Sequence, residues 1–171
     1  MSPDSRISTP TVRMVRTADG RGAVRMDDLY DTDVDDLWSS LTEAPRLARW
    51  IAEVEGDLCL GGDFRASFTS SWTGTGRVTV CDPPRRLMVT MSPGQDDETV
   101  IEAVLVVHGD RTRLVLEERG LPVDELPAHG AGWQAHVEDL SAHLAGRARL
   151  DWRTRWVELS PAYAAQAADI E

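Results

Sequence analysis

"GWQAHVEDLSAHLAG", Gly132–Gly146, is where the chain changes its period. Trp133, Val137, Leu140 and Leu144 recur at i, i+4, i+7 and i+11, the spacing of one apolar helix face, and Gly146 offers a residue free to end the helix. Upstream the dominant period is two. In "DFRASFTSSW" (63–72), Phe64, Ala66, Phe68 and Trp72 share one face, while Arg65, Ser67, Thr69 and Ser71 take the other. "GRVTVC", "LMVTM", "TVIEAVLVVH" and "TRLVLEE" follow at hairpin spacing, separated by "DPPRR", "SPGQDDE" and "GDR". Before them, "TVRMVR" and "GRGAVRMDDLY" flank an "ADG" turn, and "DLCLGG" reads as a brief strand closed by a two-residue turn at Gly61-Gly62. Links this short cannot join parallel strands, so the spacing predicts an antiparallel meander of about seven strands.

Two short helices interrupt the meander after its first strand. In "DTDVDDLWSSL", Val34, Leu37, Trp38 and Leu41 form an apolar edge behind a cap at Thr32 or Asp33. In "TEAPRLARWI", Thr42 supplies the cap, Pro45 fits the first turn, and Leu47, Trp50 and Ile51 face inward. Only the last helix is long enough to cover the sheet's apolar face. The expected fold is therefore α+β, a curved antiparallel sheet wrapped around a long C-terminal helix. Bulky aromatics mixed with Ala66, Ser70 and Gly76 on the inner face predict a cavity, the default place for a ligand.

At 171 residues the chain suits one domain, expected over 11–146, with a flexible tail at 1–10 and a helical extension at 147–171 whose "DWRTRWVELSPAYAAQ" packs back. Hydrophobic residues at 42% and charged residues at 27% argue against wholesale disorder. No apolar run approaches the roughly 20 residues of a membrane helix. The first twenty residues lack a signal-peptide core, so a cytoplasmic location is expected. A net charge of −11 counts against nucleic acid and anionic lipid as partners. Cys59 and Cys81 each sit in an apparent strand as packing residues, and neither they nor anything else makes a metal pattern. No nucleophile elbow, P-loop, dinucleotide fingerprint or zinc-protease helix is present, and no cofactor is expected.

Few residues are left for chemistry. His129, His136 and His143 lie in one helical stripe, but residues seven apart are about 10 Å apart, too far for one metal. Glu102 and Glu118 interrupt apolar strand faces. A buried carboxylate there would be costly unless paired, for instance with Arg113, and could serve as a general acid or base. Arg65, by alternation, points outward, and Arg77 also occupies a strand. Trp38, Trp50, Phe64, Phe68, Trp72 and Trp133 fall on predicted interior faces and are the expected ligand-binding residues.

"VDDLWSSLTEAPRLARWI", "DLCLGGDFRASF", "GTGRVTVCDPPRRLMVTM", "TRLVLEERGL" and "GWQAHVEDLSAHL", in this order, resemble the START-like, Bet v-type helix-grip superfamily (SRPBCC). Within it they are most similar to the AHSA-like branch, named after the C-terminal domain of the activator of heat-shock-protein-90 ATPase. The resemblance covers about residues 20 to 145, and the tail "DWRTRWVELSPAY" is similar to those of bacterial members. It implies that Trp50 closes the second short helix at the cavity mouth, that "EVEGD" is a linker and that Gly61-Gly62 starts the curved sheet. It also implies a small apolar, aromatic or lipid-like ligand and leans away from catalysis. The alternatives are a cyclase or aromatase acting on a polyketide-like substrate, with Glu118, Glu102 or His136 as proton carrier, and a protein-interaction or co-chaperone-like module. The chaperone link carries over poorly, because nothing like the activator's Asn- and Trp-rich domain precedes Thr11. "TVIEAVLVVH", apolar on both faces, would offer a homodimer surface.

Overall fold

The computed structural model describes residues 11–170, so the tail expected at 1–10 lies outside the described residues. Strands β1 (Arg13–Arg16) and β2 (Gly22–Tyr30) precede helices α1 (Val34–Thr42) and α2 (Ala44–Trp50). Six further strands follow: β3 (Ala52–Gly56), β4 (Asp63–Phe68), β5 (Thr73–Asp82), β6 (Arg86–Met91), β7 (Thr99–His108) and β8 (Arg111–Leu121). Helices α3 (Leu126–Leu144) and α4 (Trp152–Gln166) complete the chain. All pairings are antiparallel in one eight-stranded sheet of order β1-β2-β8-β7-β6-β5-β4-β3. This is the α+β helix-grip expected from the sequence. Among the described residues no helix is long and apolar enough to cross a membrane.

Curvature has local causes. Register shifts fall at Gly22/Ala23 in β2 and at Val78/Val80 in β5, and an extra residue on one strand bends the ladder. At the first of these, Gly22 lies so close under Leu126 that a Cβ would stand 2.6 Å from its methyl carbon. The sheet thereby closes onto the first turn of α3. Leu105, Leu114 and Leu116 on the inner face and Leu140 on α3 are almost wholly buried in one core. The outer face is wet and charged: Glu102 on β7 accepts from Arg86 at 2.7 Å and Arg119 at 2.9 Å, while Val106 is half exposed.

Several local expectations are corrected. The acidic "AEVEG" is a strand, not a linker: Ala52 is buried and Val54 half-buried, while Glu53 and Glu55 project into water at the sheet's edge. Charge on an edge strand discourages pairing with other chains. "DLCLGG" is instead the β3–β4 connection. The Asp57 carboxylate accepts from the Cys59 amide at 2.9 Å, and that local bond folds the segment into a turn. Cys59 is consequently exposed rather than packed, and both cysteines are free. Thr42 caps nothing. It ends α1 with its hydroxyl donating to the Trp38 carbonyl at 2.8 Å, and α2 starts behind Glu43 without a side-chain cap. Asp33, by contrast, does cap α1 through the Asp36 amide at 2.8 Å.

Helix α3 is buried on two sides, against the sheet and against α4, because its residues facing α4 are small. A Cβ on Gly130 would stand 2.7 Å from the Tyr163 ring, and one on Gly132 3.1 Å from Trp152. The Tyr163 hydroxyl donates to Gln134 Oε1 at 2.6 Å and accepts from the Thr11 and Val12 amides at 3.1 and 3.0 Å. Arg155 adds a two-pronged bond to Glu138 at 2.6 and 2.9 Å. Removing the hydroxyl with Tyr163→Phe leaves the buried Val12 amide short of an acceptor, while the Thr11 amide keeps Gln134 Oε1 at 3.3 Å, so the variant is expected to lose about 1–2 kcal/mol in urea denaturation. A variant as stable as wild type would mean that α4 is held by apolar contact alone.

Candidate functional site

Among the described residues, two neighbouring pockets open between the sheet and the helices. The larger, of about 600 Å³, lies between the α3–α4 pair and the ends of β7 and β8. Its aromatic wall is drawn from three places: Phe68 and Trp72 around the β4–β5 turn, Trp133 on α3, and Trp152 with Trp156 on α4. The smaller, of about 120 Å³, is lined by apolar side chains including Trp50, Phe64, Leu87 and Ala103. Phe68, Met91, Ile101 and Trp133 line both, so only side chains divide them.

Local structure fixes the wall. Ser71, at φ +75, turns the chain so that Trp72 lies beyond the end of β4 and meets Phe68 edge-on at 5.4 Å. Trp72 was expected on the same strand face as Phe68. It reaches the cavity through the turn, and remains 37% exposed at its mouth. Trp152 and Trp156 stack at 6.0 Å with planes 18° apart. Their indole N–H groups donate to the Gly132 and Ala128 carbonyls of α3 at 3.2 and 3.0 Å, which turns their ring bodies toward the cavity.

Polar groups sit at one side of this aromatic box. The Glu118 carboxylate accepts from Trp133 Nε1 at 2.9 Å and from the Thr99 hydroxyl at 2.8 Å. His129 Nδ1 stands 3.8 Å from Glu118, and its Nε2 stands 3.6 Å from Glu125. His136 lies deeper, 5% exposed, with the rings of Phe68, Trp133 and Trp152 at 5.9, 5.5 and 5.5 Å. Burial among these rings pushes its pKa down to about 3, so the imidazole is neutral at pH 7, and its Nδ1 has no hydrogen-bond partner. One helical turn on, Asp139 faces the α3–α4 connection. Its Oδ1 accepts from the Leu150 amide at 3.1 Å, Oδ2 has no partner, and burial raises the pKa to about 6.

Of the residues singled out in the sequence, Phe68, Trp72, Trp133, Glu118 and His136 meet at the larger cavity. Trp50 and Phe64 line the smaller one; Trp50 does end α2, with its indole N–H donating to the Ser40 carbonyl at 2.9 Å. Trp38 packs against the core and lines neither cavity. Glu102 does not reach the cavity, because β7 alternation turns it outward. Its partners there are Arg86 and Arg119 rather than Arg113, which pairs with Asp27. Burial acts to raise the Glu102 pKa, but the two guanidiniums outweigh it and hold the carboxyl below its ordinary value. His143 accepts from Arg46 at 3.1 Å, away from the cavity. No group of three metal-ligating side chains converges among the described residues. Trp152 and Trp156 were missed as wall residues, although their i, i+4 spacing in "DWRTRWVEL" places both on one helix face.

Comparison with known proteins follows the same geometry. The family model of activator of Hsp90 ATPase homolog 1-like protein matches residues 31–145. No curated protein sequence matches. The crystal structure of CalU16 from Micromonospora echinospora is 27% identical, with a TM-score of 0.73 over 91% of this chain and 95% of that one. DynU16, a protein of the dynemicin biosynthetic locus, is 25% identical with a TM-score of 0.68 over 75% of this chain, which spans only 50% of DynU16. The protein encoded by gene BPP1335 of Bordetella parapertussis, 23% identical, shares the fold with a TM-score of 0.70 over 96% of this chain and 94% of its own.

Proposed function

Because the chain belongs to the family of activator of Hsp90 ATPase homolog 1-like proteins, we propose that it binds a small apolar or aromatic molecule in the larger cavity. The observation that carries this reading is the box of Phe68, Trp72, Trp133, Trp152 and Trp156 around a space of about 600 Å³. That volume falls in the range of small-molecule pockets, and such pockets are mostly apolar with a few placed polar groups. Trp152 and Trp156 lie outside the residues 31–145 matched by the family model, so part of the wall comes from the helix that follows the shared grip.

Native mass spectrometry of gently purified protein, followed by solvent extraction, tests the reading directly. A stoichiometric apolar or aromatic compound is expected; a protein that is empty and takes up no naphthalene probe would overturn it. Trp72→Ala sharpens the test, since this ring stands at the mouth and contributes little to the core. Affinity for 1-naphthalenemethanol is expected to fall roughly tenfold in calorimetry, with the melting temperature nearly unchanged. Unchanged affinity in the folded variant would remove Trp72 from the site.

A second reading, proton transfer on a polyketide-like substrate in the same cavity, draws on the likeness to DynU16 and the biosynthetic locus it comes from. Of its three proton carriers, Glu102 faces solvent, and His136, with a pKa of about 3, is a poor base at pH 7. Glu118 alone remains, so this reading requires turnover that Glu118→Gln abolishes.

A further inference from the structure

Resting on the binding reading above, we infer that the larger cavity selects an aromatic molecule bearing a protonated amine, with the ammonium against Glu118 and the ring among the tryptophans. The charges around the cavity are unbalanced. Asp96, Asp97, Glu118 and Glu125 line it, and Arg21 is the one arginine among the described lining residues. Arg21 donates through Nε and Nη2 to the neutral Gly120 carbonyl at 3.2 and 2.8 Å and, among the described residues, ion-pairs with none of these carboxylates. The His129 imidazole stands between two of these carboxylates, 3.8 Å from Glu118 and 3.6 Å from Glu125. His136, the deepest polar group in the wall, is neutral and leaves Nδ1 without a partner.

Glu118 carries the inference furthest. Its side chain is only 12% exposed, yet its hydrogen-bond donors, the Trp133 indole and the Thr99 hydroxyl, are both neutral. Glu102 and Glu138, also partly buried, each bind arginine directly. A carboxylate removed from water with no guanidinium on it, and only the His129 imidazole 3.8 Å away, pays desolvation that a closer cation would offset. The adjacent tryptophan faces favour the same guest, since a cation over an indole ring is attracted by the ring quadrupole. An anionic ligand meets the opposite arrangement. A fatty acid or aryl carboxylate would bring a further negative charge beside Glu118.

Three probes on one frame test this by calorimetry at pH 7: 1-naphthylmethylamine, 1-naphthalenemethanol and 1-naphthoate. The amine is expected to bind at least tenfold more tightly than the alcohol, and the carboxylate more weakly than either. Glu118→Gln keeps an acceptor for the indole N–H and is expected to bring amine and alcohol within about twofold of each other. Equal binding of amine and alcohol by wild type, or tighter binding of the carboxylate, would overturn the cation assignment and leave the apolar cavity standing. Binding of none of the three at millimolar concentration would overturn the cavity reading as well. The wild-type ranking decides the matter even if the variant fails to fold.

Discussion

His136→Phe is expected to gain about 2 kcal/mol on the wild type as pH falls from 7 to 5, and about 4 kcal/mol by pH 3.5. The cause is the aromatic cage. In the unfolded chain the imidazole titrates at its ordinary 6.5, whereas burial among Phe68, Trp133 and Trp152 holds it to about 3 in the fold. A depressed folded pKa contributes stability above 6.5 that is lost as the pH falls towards 3, because the unfolded chain takes up a proton that the folded chain refuses. Phenylalanine fills much the same ring volume and titrates nowhere in this range. Urea denaturation of both proteins at pH 7, 6, 5 and 3.5 measures the gap. A gap that does not widen on acidification would mean that the imidazole reaches water or a proton acceptor.

Asp139→Asn moves the opposite way. Its carboxyl has a folded pKa of about 6 against an ordinary 3.8; burial raises it, and the Leu150 amide and Arg149 offset this only in part. A raised folded pKa favours the protonated fold below 3.8, and that advantage is lost as pH rises through 6. Asparagine is neutral throughout and keeps a carbonyl oxygen for the Leu150 amide. The variant is therefore expected to match the wild type near pH 4 and to exceed it by roughly 3 kcal/mol at pH 7 and above. Equal stability at pH 8 would show the carboxylate to be solvated. Because His136 and Asp139 respond to acid with opposite signs, a flat wild-type profile conceals both, and only the paired variants separate them.

The grip was legible because its two periods are long and clean. Leu114 and Leu116 alternate inward on β8, and Trp133 and Leu140 repeat at helical spacing on α3, as the sequence predicts. Errors gathered where a local bond overrides a pattern. Asp57 folds "DLCL" into a turn, and the edge position of "AEVEG" lets a strand carry two glutamates that lower its apparent strand propensity. The site was half legible for a related reason. Alternation assigns a face to Glu118 and Phe68, but it cannot say that the indole of Trp133 will meet Glu118 across fifteen residues, nor that α4 will bring two more indoles over Gly132. The signal for α4 was present in the small residues of "HGAGWQA", which leave α3 room for a second covering layer.

The Tyr163 bond also sets an order of assembly. The Val12 amide and the Tyr163 hydroxyl stand 151 positions apart, so the loop they close encloses every strand from β1 to β8. Contacts so distant along the chain form late, because the entropy of closing the loop is lost before the contact returns anything. A nascent chain can complete the sheet and dock α3 while α4 is still being synthesised. At that stage Trp152 and Trp156 are absent from the wall, and the cavity gapes along one side. On the proposed binding reading, the full aromatic wall stands only once α4 has docked, and protection of the Val12 amide from hydrogen exchange reports that docking.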